Sequence, residues 1–202
     1  MNIGVLASGA GTNLQALIDR VHGRGGIRIA AVASDKPGAR ALERAQAAGI
    51  DSAVFLRDWF ADRSARDGAM AAWLRERDVE LVVLAGYMQL LSLEFLAAFR
   101  DRVINVHPSL LPAFPGLDAI GQALDYGVKV FGVSVFFVDS GIDTGPLILQ
   151  RALDLPDAHD PSQVLELLHP IEHDLLVEAV RLIARGAVSI DPGNPRQVVV
   201  SR

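Results

Sequence analysis

Short apolar runs alternate with amphipathic segments along the first half of the chain. Ile3–Ala7 has the unbroken apolar character of a buried strand. Leu14, Leu17, Ile18 and Val21, spaced i, i+3, i+4, i+7, predict a helix behind it. Ile27–Ala33 predicts a second strand, Ala39–Ala48 a helix, Ser52–Leu56 a short third strand, and about Ser64–Arg77 a long helix. Leu81–Ala85 then reads as a strand, Leu93–Phe99 as a short helix and Val103–Val106 as another strand. This strand–helix alternation implies a parallel sheet covered by helices. Beyond it the rhythm changes. Val128–Val138 and Leu147–Leu153 are strand candidates with no helix between them, and the Gly- and Asp-containing stretch Asp139–Pro146 suits a loop, so a hairpin or an antiparallel edge is expected. A last helix opens with Asp160 as N-cap and Pro161 at its first position, and closes before Gly186; Pro170 inside it should kink it. The tail to Arg202 has room for a short strand. The predicted fold class is α/β: a single-domain, Rossmann-like, mostly parallel sheet with helices on both faces and an antiparallel C-terminal extension. Its two halves fall at about 1–100 and 101–202.

Composition narrows the classes. A length of 202 residues, half of them hydrophobic, supports one substantial core, and a mean hydropathy of +0.29 with 21% charged residues argues against disorder. The uncharged stretch Leu81–Leu93 is shorter than the roughly 18–20 residues of a spanning helix. The N-terminus lacks a basic leader region and runs straight into a strand, so the cytoplasm is the expected compartment. The absence of cysteine removes disulfides, thiolate metal sites and a cysteine nucleophile. With 19 basic and 24 acidic residues, a net charge of −5 and no basic run, nucleic acid and membrane surfaces are not expected partners. An anionic ligand would need helix N-termini or individually placed arginines.

Four segments carry candidate chemistry. Ala7–Asn13 follows the first strand and opens the first helix. Gly11, Thr12 and Asn13 form either a phosphate or carboxylate cradle or an ordinary glycine turn with Thr12 or Asn13 capping the helix. The third glycine of a dinucleotide fingerprint is absent (Leu14 stands there), as is the P-loop lysine, so a mononucleotide-sized phosphate suits the loop better. In Val103–Pro112, strand alternation puts Asn105 and His107 on one face at the C-terminal end of a buried strand. Asn donates to a developing oxyanion and His moves protons near neutrality; the plain alternative is a structural His held by a carbonyl. Asp143, in the loop Asp139–Pro146, is either a turn-former or the carboxylate that orients His107. Glu172 lies at the edge of the last helix's apolar stripe, where a carboxylate is either half-solvated, the expectation from the pattern, or facing a cleft. The five histidines show no metal-ligand spacing and no close His pair on a helix face, so no metal site is expected. Arg63 by itself reads as a surface arginine.

Together these segments resemble the phosphoribosylglycinamide formyltransferases, the glycinamide branch of the folate-dependent formyltransferases. The resemblance runs from residue 3 to about residue 185. It rests on Val5–Asn13, on Leu81–Met88 followed by Leu90 and Leu91, on Ile104–Leu117 and on Asp143–Gln150. It implies the formyltransferase fold, purine biosynthesis, and a reaction in which the amine of 5-phosphoribosyl-glycinamide attacks the formyl carbon of 10-formyltetrahydrofolate. It assigns catalysis to Asn105, His107 and Asp143, and the ribonucleotide to Gly11, Thr12, Asn13 and Glu172. The folate cosubstrate falls to Arg63, Met88, Gln89, Leu90, Leu91, Asn105, Asp139, Ser140 and Gly141. The implied partners are small molecules alone, with a monomer or homodimer as the assembly. Gln89 stands where many members carry Arg, and Asp118, Ile120 and Phe136 stand where His is common. Leu175–Val177 replaces an aromatic–proline ending. These departures leave open a formyltransferase for another amine, such as an amino sugar. A non-catalytic nucleotide- or folate-binding module is the reading from a different class.

Overall fold

The computed structural model describes residues 1–201, which fall into two compact units, Met1–Asn105 and the chain from Val106 onward. The first unit alternates strands and helices: β1 (Asn2–Leu6), α1 (Thr12–Arg20), β2 (Arg28–Ser34), α2 (Arg40–Ala47), β3 (Ser52–Val54), α3 (Arg63–Arg75), β4 (Leu81–Leu84) and α4 (Leu93–Ala98). Next comes β5 (Val103–His107), which crosses the boundary between the units. The strands pair in parallel in the order β3-β2-β1-β4-β5. Every residue of β4, and all of β1 but its first, is buried. A parallel sheet clothed by helices has no wet face, which is why these strands read as unbroken apolar runs. The third strand ends at Val54, short of the predicted Leu56, and Arg57–Trp59 follows as a 3-10 helix.

The order reverses at β1. From there the chain moves outward to β2 and β3, then returns to β4 on the other side. In open α/β sheets, the crevice outside the C-terminal ends of such a pair of strands is where ligands bind. Here it is bordered by Ala7–Gly11 after β1 and Ala85–Ser92 after β4, and the two loops are tied. Ser8 N–H donates to the Gly86 carbonyl at 3.0 Å, and Met88 N–H donates to Ser8 Oγ at 2.9 Å.

The second unit contains α5 (Ala119–Tyr126), β6 (Val130–Phe137), β7 (Leu147–Asp154), α6 (Pro161–Ala184), β8 (Val188–Asp191) and β9 (Asn194–Val200). β6 and β7 form the expected antiparallel ladder, and α6 packs on both. Asp160 caps α6 through Ser162 N–H at 2.9 Å, with Pro161 behind it as expected, and the helix runs on through Pro170 as one element. Two elements differ from the sequence reading. α5 was hidden because Asp118 starts it from a left-handed backbone and only eight residues follow. The tail forms a hairpin, β8 with β9, where a single short strand was expected.

Candidate active site

The glycine loop owes its shape to Gly11. Its φ of +69° is one that side-chain-bearing residues avoid, and a Cβ there would lie 2.8 Å from Ala41 Cα. Gly11 therefore lets the start of α1 sit against α2. It is also the N-cap, so the expectation that Thr12 or Asn13 caps the helix is corrected: both lie in the first turn, and no side chain caps it. Arg44 braces the loop from α2, donating from Nε to the Ala10 carbonyl at 2.9 Å. What remains at the mouth of α1 is a set of backbone N–H groups at the positive end of a helix dipole, the usual device for an anion in an acidic protein.

The loop after β4 is held at its far end by a device the sequence reading missed. Arg66 and Asp67 on α3 are both buried, with Arg66 Nη2 2.7 Å from Asp67 Oδ1. Asp67 Oδ2 accepts from Ser92 N–H at 2.7 Å, and Ser92 Oγ accepts from Phe95 N–H to cap α4. The signal was present: Asp67 falls in register with Met70, Ala71 and Leu74, on the buried stripe of α3. Between these anchors Met88 and Leu90 are exposed, 59% and 55%, while Gln89 and Leu91 are half-buried. Apolar side chains on an anchored loop suit a flat heteroaromatic ligand. Tyr87 faces inward, and burial pushes its hydroxyl well above the usual tyrosine range, with Arg66 opposing and Asp67 and Asp35 adding to the rise. It stays a neutral phenol at any working pH. Arg63 is the exposed first residue of α3. The Glu94 carboxyl is held below its ordinary value by its own backbone N–H, then by Ser64 and Ser92, with Arg63 a smaller contributor.

On β5 the expected alternation holds, with Asn105 and His107 on one face of the strand and Ile104 and Val106 on the other. Leu84 pairs with Asn105 across the ladder, so Asn105 comes at the C-terminal end of the β4 register. His107 is 6% exposed. Its Nε2 lies 2.9 Å from the Phe114 carbonyl and its Nδ1 lies 3.4 Å from Asp143 Oδ2. Both ring nitrogens thus face oxygen acceptors. A proton on Nε2 meets Phe114, and a second proton on Nδ1 meets the carboxylate. Asp143 Oδ2 also accepts from Gly116 N–H at 2.8 Å. The backbone of Asp143 is left-handed, φ +52°, a conformation Asp tolerates better than most residues. Turn-former and carboxylate partner, posed as alternatives in the sequence, are therefore the same residue in two capacities. In the same loop Asp139 Oδ1 accepts from Gly141 N–H at 3.0 Å and from Thr144 Oγ1 at 2.7 Å, while Ser140 and Gly141 are exposed.

Two expectations on α6 are corrected. Glu172 is 6% exposed, buried with Leu168 and Leu176 on the helix's inner stripe, not on a solvated edge. His169 and His173 do form a close pair on one helix face, their rings parallel with centroids 6.1 Å apart. The i, i+4 spacing that brings them together was legible and overlooked. Among the described residues no group of three or more His, Asp or Glu gathers as a metal site, and no helix is long and apolar enough to cross a membrane.

Comparison with known proteins gives one consistent answer. The model of the formyl transferase family matches residues 1–180. Phosphoribosylglycinamide formyltransferase of Bacillus subtilis is 44% identical over 171 residues, covering 84% of this chain and 87% of that protein. The trifunctional purine biosynthetic protein adenosine-3 of Drosophila melanogaster is 40% identical over 193 residues, 94% of this chain but 14% of that much longer protein. The crystal structure of glycinamide ribonucleotide transformylase 1 from Symbiobacterium toebii superposes with a TM-score of 0.95 at 44% identity, covering all of this chain and 94% of that one.

Proposed function

The chain belongs to the formyl transferase family, and from that membership we infer that it transfers a formyl group from a folate donor to the amine of 5-phosphoribosyl-glycinamide in purine biosynthesis. The observation that carries the reading is His107, buried at the end of β5, two residues after Asn105 and facing the Asp143 carboxylate, in a chain of this similarity. The donor is 10-formyltetrahydrofolate. The glycinamide nitrogen adds to the formyl carbon, and the carbonyl oxygen becomes an oxyanion. The Asn105 side-chain amide supplies a hydrogen bond to that oxygen, and the His107 ring joins it when its Nε2 exchanges the Phe114 carbonyl for the ligand, an interaction worth more in a prepared, water-poor site than in bulk solvent. Collapse of the adduct breaks the bond to the folate nitrogen. The attacking amine loses a proton and the leaving nitrogen gains one, so the exchange is neutral overall, and His107 with Asp143 mediates it directly or through water.

The ribonucleotide's phosphate takes the N–H groups at Gly11, Thr12 and Asn13, and Glu172 contributes on the ribonucleotide side. The folate is held by Arg63, Met88, Gln89, Leu90, Leu91, Asn105 and the Asp139–Gly141 turn. Net charge −5 supports this division of labour, since an acidic protein binds anions through local dipoles and not through its overall field. The work is done in the cytoplasm by a monomer or homodimer. Incubating the purified chain with glycinamide ribonucleotide and 10-formyltetrahydrofolate should release tetrahydrofolate and the N-formyl product in equal amounts. Turnover with a phosphorylated amino sugar but none with glycinamide ribonucleotide would replace this acceptor with the other.

A further inference from the structure

The C-terminal hairpin lies beyond residue 180, where the family match ends, yet it sends one side chain to the loop that carries Asp143. We propose that Arg196 on β9 is a positioning residue that holds the Thr144–Gly145 peptide, one residue beyond Asp143, and so acts on His107 through Asp143. The inference rests on the roles assigned above to His107 and Asp143.

The loop between β6 and β7 is closed on one side by its own groups. The Asp139 carboxylate ties Gly141 and Thr144, and the loop is so tight there that a Cβ on Gly141 would overlap Thr144 Oγ1 and one on Gly145 would overlap the Phe137 carbonyl. Its outer side has no apolar cover, because Ser140, Gly141, Ile142 and Thr144 are all exposed. Within this exposed loop Asp143 must keep a left-handed backbone, which persists only where surrounding contacts impose it. Gly116 N–H fixes the carboxylate end. The backbone end is fixed by Arg196, whose Nη1 donates to the carbonyl of Thr144, the residue that follows Asp143. The same nitrogen lies 3.9 Å from Asp139 Oδ2, on the carboxylate that draws the loop together. Arg196 is itself placed by its N–H, which donates to Asn194 Oδ1 at 3.1 Å, and by the packing of β9 on β7. An exposed ion pair alone contributes little. A charged donor on the backbone carbonyl next after a strained Asp differs, because losing it loosens the Thr144–Gly145 peptide that anchors the C-terminal side of Asp143, and with it the placement of the Asp143 carboxylate against His107.

The test uses Arg196→Ala, Arg196→Lys and Asp143→Asn, singly and as the Arg196→Ala/Asp143→Asn pair. Arg196 is exposed, so its variants should melt with the parent. Turnover of Arg196→Ala should fall about tenfold, with KM for the ribonucleotide unchanged, since small misplacements of a catalytic group carry costs of this order. Arg196→Lys, which keeps one charged donor, should recover most of it. In the Asp143→Asn background the alanine change should cost nothing further, because both act at one point. Turnover at the parent level, or a full tenfold loss added to that of Asp143→Asn, overturns the proposal. A readout independent of activity separates it from the functional assignment. The ring 15N resonances of His107 should move in Arg196→Ala toward their positions in Asp143→Asn. Resonances that stay with the parent overturn the positioning role even if formyl transfer is seen, and a shift supports it even if another acceptor proves to be the substrate.

Discussion

His107 and Gly11 illustrate how much a single residue decides. The His107 ring is held between a carbonyl and a carboxylate, so its orientation is set from both sides before any ligand arrives. Replacing it with Asn should reduce kcat by about 10²-fold or more, the usual range for a lost acid–base group. Asp143→Asn should reduce it less, since the amide keeps the size and one acceptor; steady-state kinetics on both variants checks the order. A larger loss for Asp143→Asn would make the carboxylate the proton-handling group. Gly11 makes a second comparison with its neighbour Gly9. A Cβ on Gly11 would meet Ala41 and would have to sit on a left-handed backbone that side chains disfavour, whereas one on Gly9 meets nothing within 4 Å. Gly11→Ala should therefore lower stability by about 1–2 kcal/mol or more, from the left-handed backbone alone. Gly9→Ala should leave the melting temperature nearly unchanged.

At the level of elements, two helices are anchored by carboxylates in different environments. Asp67 is fully buried, paired with Arg66 and bonded to Ser92 N–H, and so ties α3 to the start of α4. Asp67→Ala would strand the Arg66 charge inside the protein and should cost about 3–5 kcal/mol in chemical denaturation. Replacing both members by apolar residues of similar volume should cost much less. Such a result would assign the pair to loop placement and not to net stability. Asp160, at the start of α6, is half-buried. Its carboxyl is held below the usual aspartate range by the Ser162 hydroxyl and then by Ser162 N–H. A depressed folded-state value means that its stabilisation is complete above the unfolded value and disappears as pH falls through the folded one. Asp160→Ala should melt below the parent at neutral pH, and the gap should begin to shrink near about pH 4, where the unfolded carboxyl takes up its proton, and vanish once the folded carboxyl is protonated too. A gap that persists at pH 2 would point to lost packing.

For the whole molecule, the expected discrimination is on phosphate. With the phosphate cradle proposed at α1, the acceptor without its 5-phosphate should bind far more weakly, with KM raised and kcat less affected, because such a cradle would bind the remote end of the substrate alike in ground and transition states. Equal KM values for the two acceptors would dissociate the glycine loop from binding. The periodicities of the sequence were sufficient for the α/β class, the parallel first half and the antiparallel change of rhythm, since 3.6- and 2-residue repeats record which face each element buries. Strand alternation likewise put Asn105 and His107 on one face without any tertiary knowledge. The glycine-containing loop offered Asp143 as turn-former or partner of His107 and the resemblance assigned it to catalysis, but the tertiary structure alone brings it to 3.4 Å from His107 across an intervening helix and strand. The same holds for the buried Arg66–Asp67 pair, the burial of Glu172 and the reach of Arg196 to Thr144. A local pattern reports whether a residue faces inward, because burial repeats with the turn of its own element. It does not report what the residue meets there, since the partner of a polar group is chosen by chain segments distant in sequence, and no periodicity encodes their approach.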